Sequence, residues 1–218
     1  MSALKLLPAF ENTVDESQQV FRSVLKAMSE PGTIKTIHSR PLSEGQTGKD
    51  RVETDTIETS TVQIFPSLWA IAQALFDSDA SVFIGKSLES RTLAQSLGFY
   101  TDARVTALRE SADFALMTLT DWIENNDFSV GTWEQPQQSC TLIIQVPELG
   151  TAQQLLLSGP GILEKRWISI AGLTPGQQSL LQTNHDLYPC GLDFIFCSPE
   201  QILCIPRSTQ IQLTSKEQ

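Results

Sequence analysis

Histidine is nearly missing from this chain of 218 residues, with only His38 and His185. The four cysteines, Cys140, Cys190, Cys197 and Cys204, include no C-x-x-C pair. Ligand types this few and this poorly spaced exclude a Cys/His zinc site and point to reduced, buried thiols in a cytoplasmic setting. No apolar run approaches 18 residues, so no membrane span is expected. The N-terminus MSALKLLPAFENT interrupts its short apolar run with Pro8 and does not read as a secretory leader. Basic clusters are also lacking. Residues 1–60, 61–140 and 141–218 carry 7, 4 and 4 basic against 9, 10 and 6 acidic groups, for a net charge of −10. That balance argues against nucleic acid and anionic membranes as partners and fits a soluble protein.

What is present suits a single domain that buries a sizeable core without staples. Apolar residues make up 40 % and charged residues 18 %, which excludes collagen, coiled coil and wholesale disorder. Val20, Phe21, Val24, Leu25 and Met28 share one face of a helix over 14–28. Thr13 and Glu16 have capping-box spacing, and Pro31-Gly32 stops the helix. A strand near Ile34 and Ile37 follows. The polar stretch 40–59 reads as a surface insert. A second helix is expected over 60–76, with Ile64, Phe65, Leu68, Trp69, Ala72, Leu75 and Phe76 as its stripe. Strands are expected at 82–84, 114–119, 141–146, 154–158, 167–170, 192–197 and 202–206, the last two as a hairpin. A helix holds Leu93 and Leu97. Another opens at Thr174, Pro175 and Gln177 with a cap, a first-turn proline and a box glutamine. The segment 122–130 supports no assignment. Helices interleave with strands early and strands cluster late, which predicts an α/β domain with a mixed central sheet flanked by helices.

Short motifs dissolve on inspection. Gly159-Pro160-Gly161 lacks the third glycine and the free amide of a dinucleotide turn, so it reads as a tight turn. Gly48-Lys49 would need Gly at Ser43 and a hydroxyl at Asp50 to be a phosphate loop. Ser23 and Lys26 have Ser–Lys spacing without companion motifs. His185 near Cys190 has no visible orienting group, and an end-of-helix cation is the simpler role. Two segments carry more information. In 21–32, Arg22 and Lys26 lie one turn apart on the polar side of an apolar helix. In 188–209, Asp193 interrupts an apolar strand, and Arg207 follows Pro206 with Ser208 and Thr209 behind it. A buried Asp needs a partner, so Arg207 either pairs with Asp193 or serves an anionic ligand or a neighbouring subunit.

These segments, F-R-x-x-L-x-A-M-S-x-P-G (21–32) and Y-P-x-G-x-D-x-I-F followed by I-P-R-S-T (188–209), together with the turn LSGPGI, resemble the PhnH family of the bacterial carbon–phosphorus lyase system. Ser208 stands where Thr is expected, and the insert at 40–59 is longer than usual. The resemblance implies a fold similar to pyridoxal-phosphate-dependent transferases without the cofactor lysine, and no cofactor or metal. It implies action with the G, I and L subunits, which together join a phosphonate to the ribose of a nucleoside triphosphate, displacing the base. No catalytic residues belong to the H subunit itself; Arg22, Asp193, Arg207, Ser208 and Thr209 are the candidate ligand or partner contacts. A homodimer is expected for the isolated chain, which must cover its partner-facing apolar surface. A stand-alone transferase, a pyridoxal enzyme using Lys86 or Lys165, and a scaffold without ligand are the alternatives.

Overall fold

A computed structural model describes residues 6–39, 63–123 and 127–214. The expected insert at 40–59 and part of the unassigned segment 122–130 lie outside these residues. The elements run α1 (Thr13–Ser29), β1 (Ile34–Thr36), α2 (Pro66–Leu75), β2 (Ser81–Ile84), α3 (Arg91–Thr101), β3 (Arg104–Thr106), β4 (Phe114–Thr118), β5 (Thr141–Gln145), β6 (Leu149–Ser158), β7 (Arg166–Ile170), α4 (Pro175–Asn184), β8 (Asp193–Cys197), β9 (Gln201–Ile205) and β10 (Gln210–Leu213). Seven strands form one mixed sheet in the order β1-β9-β8-β5-β4-β2-β3, and β10-β6-β7 form a second, antiparallel sheet. In the large sheet β3, β2, β4, β5 and β8 are parallel, while β9 runs antiparallel to β8 and to β1.

The near-continuous apolar runs of β4, β5 and β8 follow from burial on both faces. Alternate side chains point to opposite sides. Leu116, Ile143 and Ile195 join Trp69, Leu68 and Leu97 in the core under α1, α2 and α3. Met117, Leu142, Ile144, Phe194 and Phe196 join Leu155, Leu157, Ile168 and Trp122 in a second core, against the small sheet and α4.

Several sequence expectations need correction. The second helix begins at Pro66, since residues 63–65 are not helical. Proline favours the first helical turn and holds the preceding Phe65 extended, at φ −77° and ψ 142°. The cap of α1 is Asn12, whose side chain accepts from the Asp15 amide, so Thr13 is already helical. Glu16 still reaches back, accepting from the Glu11 and Asn12 amides. The buried face of α1 is Val20, Val24 and Ala27, whereas Phe21 and Leu25 are exposed. Their side chains point about 100° away from those of Val20 and Val24, and the sheet can cover only one of these stripes. β6 starts at Leu149, five residues earlier than expected, and carries a bulge between Gly150 and Leu155. β3 and β10 had no sequence signal, being short and half polar. The box at α4 is complete: Thr174 caps the Gln177 amide and the Gln177 side chain accepts from the Thr174 amide. Among the described residues no helix is long and apolar enough to cross a membrane.

Candidate functional site

The hairpin β8–β9 places the second motif. Phe194 pairs with Ile205, so Asp193, one residue before it, lies beside the chain leaving β9 through Pro206. Proline has no amide to continue the ladder, and the strand ends there. The Arg207 amide donates to Asp193 Oδ1 (2.9 Å), and its Nε reaches both carboxylate oxygens (3.2 Å each). Its Nη2 pairs with Oδ2, while Nη1 donates to the Pro136 carbonyl (2.6 Å). Both side chains are largely buried, at 17 % and 20 % exposed. The guanidinium fork is therefore engaged on three of its faces by groups of its own chain, which ties the loop before β5 to the end of β9.

The other candidates surround this pair. Ser208 is partly buried, and its carbonyl lies 3.1 Å from the position a Cβ on Gly159 would take. Thr209 is buried; its amide donates to the Pro206 carbonyl, and its hydroxyl has no partner among the described residues. Gly159 and Gly161 both have positive φ (128° and 79°). A side chain at Gly161 would collide with the Ser29 carbonyl and with Pro31. Only glycine permits that approach. The turn after β6 therefore touches the end of the first motif on one side and the end of the second on the other. Gly32 donates to the Cys204 carbonyl (3.0 Å), and Arg166 donates to the carbonyls of Glu30 and Pro31. Three segments far apart in sequence thus meet at the end of the large sheet where the parallel strands begin.

Arg22 stands outside this junction. It is exposed on α1 and makes no hydrogen bond or ion pair among the described residues. Lys26, one turn on, pairs with Glu30 (2.5 Å), and Lys35 reaches the same carboxylate (3.2 Å). The Lys26 hydrogen bond, then that of Lys35, lowers the Glu30 carboxyl below its ordinary value. His185 stacks on Tyr188 and meets the Gln210 amide at 3.2 Å; no hydrogen bond joins it to Cys190. Burial pushes the Cys140, Cys197 and Cys204 thiols up, away from the thiolate.

Sequence reasoning missed three contributors. Pro136 receives Arg207; Arg166 holds the first motif's turn; and Asn184 bonds both the amide and the carbonyl of Leu192 (2.8 and 2.9 Å). Only Asn184 had a readable cue, an amide side chain at a helix end, where it can imitate a strand partner.

The opposite end of the sheet offers a second region. In order along the chain, the parallel strands β2, β3, β4, β5 and β8 are arranged so that the connections diverge between β2 and β4, the place where open α/β sheets receive ligands. Here Asp121 fills it. Its carboxylate accepts from the amides and hydroxyls of Ser87 and Thr118, and Gly85 lies so close that a Cβ would touch it at 2.9 Å or less. A cavity of about 600 Å³ lies beside it, lined by Leu119, Trp122, Thr174 and Gln177 among others.

Comparison with known proteins bears on both regions. Residues 8–212 match the family described as bacterial phosphonate metabolism protein (PhnH). The chain is 28 % identical over 205 residues to the alpha-D-ribose 1-methylphosphonate 5-triphosphate synthase subunit PhnH of Rhizobium meliloti (strain 1021), covering 94 % of each chain. It is 30 % identical over 104 residues to the putative C-P lyase subunit protein HtxG of Stutzerimonas stutzeri, 48 % of this chain and 53 % of that one.

Proposed function

Because the chain belongs to the family of bacterial phosphonate metabolism proteins, PhnH, we propose that it is a subunit of a carbon–phosphorus lyase system. In this reading it acts in the cytoplasm with the G, I and L subunits, and the assembly couples an alkylphosphonate to the ribose of a nucleoside triphosphate before the carbon–phosphorus bond is cleaved. The observation that carries the reading is the junction of the three family segments. Its charged groups are turned onto each other: Arg207 faces Asp193 and the Pro136 carbonyl, and the glycine turn faces backbone. Such a junction builds a rigid surface for assembly rather than a reactive centre. Arg207, Asp193 and the buried Thr209 set its shape, Ser208 lines it, and Arg22 is a separate contact on α1.

The relation to pyridoxal-phosphate-dependent transferases belongs to the same reading. Its support is the seven-stranded mixed sheet with one antiparallel strand inside it. Lys86 and Lys165 are both exposed, and a Schiff-base lysine needs a desolvated setting to lose its proton. A single domain is part of the proposal too, since the two cores lie on the two faces of one sheet.

The test is co-purification. Tagged chain expressed with the other lyase subunits should bring them down in fixed proportion, and a strain lacking it should fail to grow on methylphosphonate. Normal growth without the chain would overturn the reading. Turnover of a nucleoside triphosphate with methylphosphonate by the purified chain alone would select a stand-alone transferase instead.

A further inference from the structure

Trp133 is 76 % exposed, although tryptophan is highly buried on average. It stands at the tip of a short hairpin over 129–140. At the base, Val130 and Ser139 form an antiparallel bridge, and the Cys140 amide donates to the Ser129 carbonyl (2.8 Å). At the tip, the Thr132 and Gln135 amides donate to each other's carbonyls (3.3 and 3.1 Å), with Trp133 and Glu134 as the turn between them. Between base and tip, Ser129 Oγ donates to the Gln138 carbonyl (2.8 Å), and Arg207 Nη1 holds the Pro136 carbonyl (2.6 Å). Ties at this many points fix the backbone, so the indole meets solvent as a rigid projection.

The ground around that projection is anionic. From Glu110 to Glu164 the sequence has no Lys, Arg or His. Glu134 sits beside Trp133, and Asp127 precedes the hairpin. Both are exposed, and neither has an ion-pair partner among the described residues. Arg207, which reaches the hairpin from behind, is already paired with Asp193.

We propose that Trp133 is the anchor by which this chain docks on a different subunit of the lyase system, its indole entering an apolar pocket rimmed by lysine or arginine. Tryptophan is prominent among the few residues that carry most of the energy of an interface. The hairpin is ordered before contact, so docking costs little further ordering. Glu134 and Asp127 steer a basic rim toward the tip and repel an acidic one. A second copy of this chain is a poor occupant, because a two-fold contact through the tip would set Glu134 against Glu134. Arg207 gains a second consequence here: through Pro136 it positions the docking tip as well as closing the junction. The inference rests on the lyase reading for the class of partner, and on the hairpin for the surface.

The test is capture of the other lyase subunits by full-length tagged chain, with binding to them titrated for the parent and each variant. Trp133→Ala should unfold like the parent, since the side chain touches little of its own fold, yet bind the subunits about thirtyfold or more weakly. Trp133→Phe should recover most of the binding. Glu134→Lys should also weaken it, and raised salt should cost the parent more than this variant. Full binding by Trp133→Ala, or Glu134→Lys that binds as tightly as the parent, would each overturn the proposal. So would a Trp133→Ala chain that loses only self-association and still captures the subunits. A parent that captures none of them would bring down the lyase reading and this inference together, whereas capture by parent and Trp133→Ala alike would sink this inference alone.

Discussion

Arg207 and Asp193 hold each other in a site that is mostly closed to water, and the consequences of removing either are unequal to those of a surface pair. Arg207→Ala would leave a carboxylate buried without its cation and free the Pro136 carbonyl, so a loss of about 3–5 kcal/mol is expected in denaturant unfolding. A variant that unfolds like the parent would show that the pair is dispensable to the fold. The thiols make a second residue-scale forecast. Burial keeps Cys140, Cys197 and Cys204 protonated in the native chain, whereas in the unfolded chain they ionise near the ordinary value of 9. The unfolded state therefore releases protons first. The protection is fully present below pH 9 and erodes as pH rises above it, by up to about 1.4 kcal/mol per pH unit per thiol. Unfolding free energies measured from pH 8 to 10.5 should fall, and a triple Cys→Ala variant should fall less steeply. Asp193 itself was readable as a problem in the sequence, a charge in an apolar strand. Its solution was readable only as a choice between a pair with Arg207 and an Arg207 turned to a ligand or subunit, because a sequence does not say whether the hairpin register brings the two side chains together.

At the scale of the element, α2 shows how far pattern reaches. Its stripe was plain, yet Leu68, Trp69, Ala70, Ile71 and Ala72 are all fully buried. The helix is enclosed on every side, and amphipathic spacing understates that. Trp69 also donates its indole N–H to the Leu7 carbonyl at 2.7 Å. Trp69→Ala should destabilise by about 3–5 kcal/mol through the cavity it leaves. Trp69→Phe keeps most of the volume, and the Leu7 carbonyl retains Gln73. Apart from repacking, its cost in the same melt should be near the net worth of one hydrogen bond, about 1 kcal/mol. A ratio near one between the two variants would mean that the indole N–H, not its bulk, carries the effect. On α1 the pattern misled in the opposite direction. Phe21 and Leu25 have the spacing of core residues, but the sheet reaches only the Val20, Val24 and Ala27 face, and the apolar pair is left to solvent.

For the whole molecule, two apolar cores share one sheet, with β2, β4, β5, β8 and β9 supplying alternate residues to both. Losing either face strips partners from the other. Heating should give one transition, with the fluorescence of Trp69 and Trp122, which lie in different cores, changing at the same temperature as the far-ultraviolet dichroism. Two separated midpoints would show that the faces unfold independently. The sequence by itself determined the mixed α/β class, most strands, the capped start of α4, the stop at Pro31-Gly32 and the family to which the motifs point. These are local properties, written in periodicity, in turn residues and in short runs that need no distant partner to be read. The tertiary structure alone decided that the glycine turn at 159–161 joins the two motifs, that Arg207 is engaged by Asp193 and Pro136, that Asp121 closes the divergence of β2 and β4, and that Phe21 and Leu25 on α1 are exposed. Each depends on which residues a chain reversal brings within a few ångströms. That follows from the register and stacking of elements far apart in sequence, where one residue's slip would present a different neighbour.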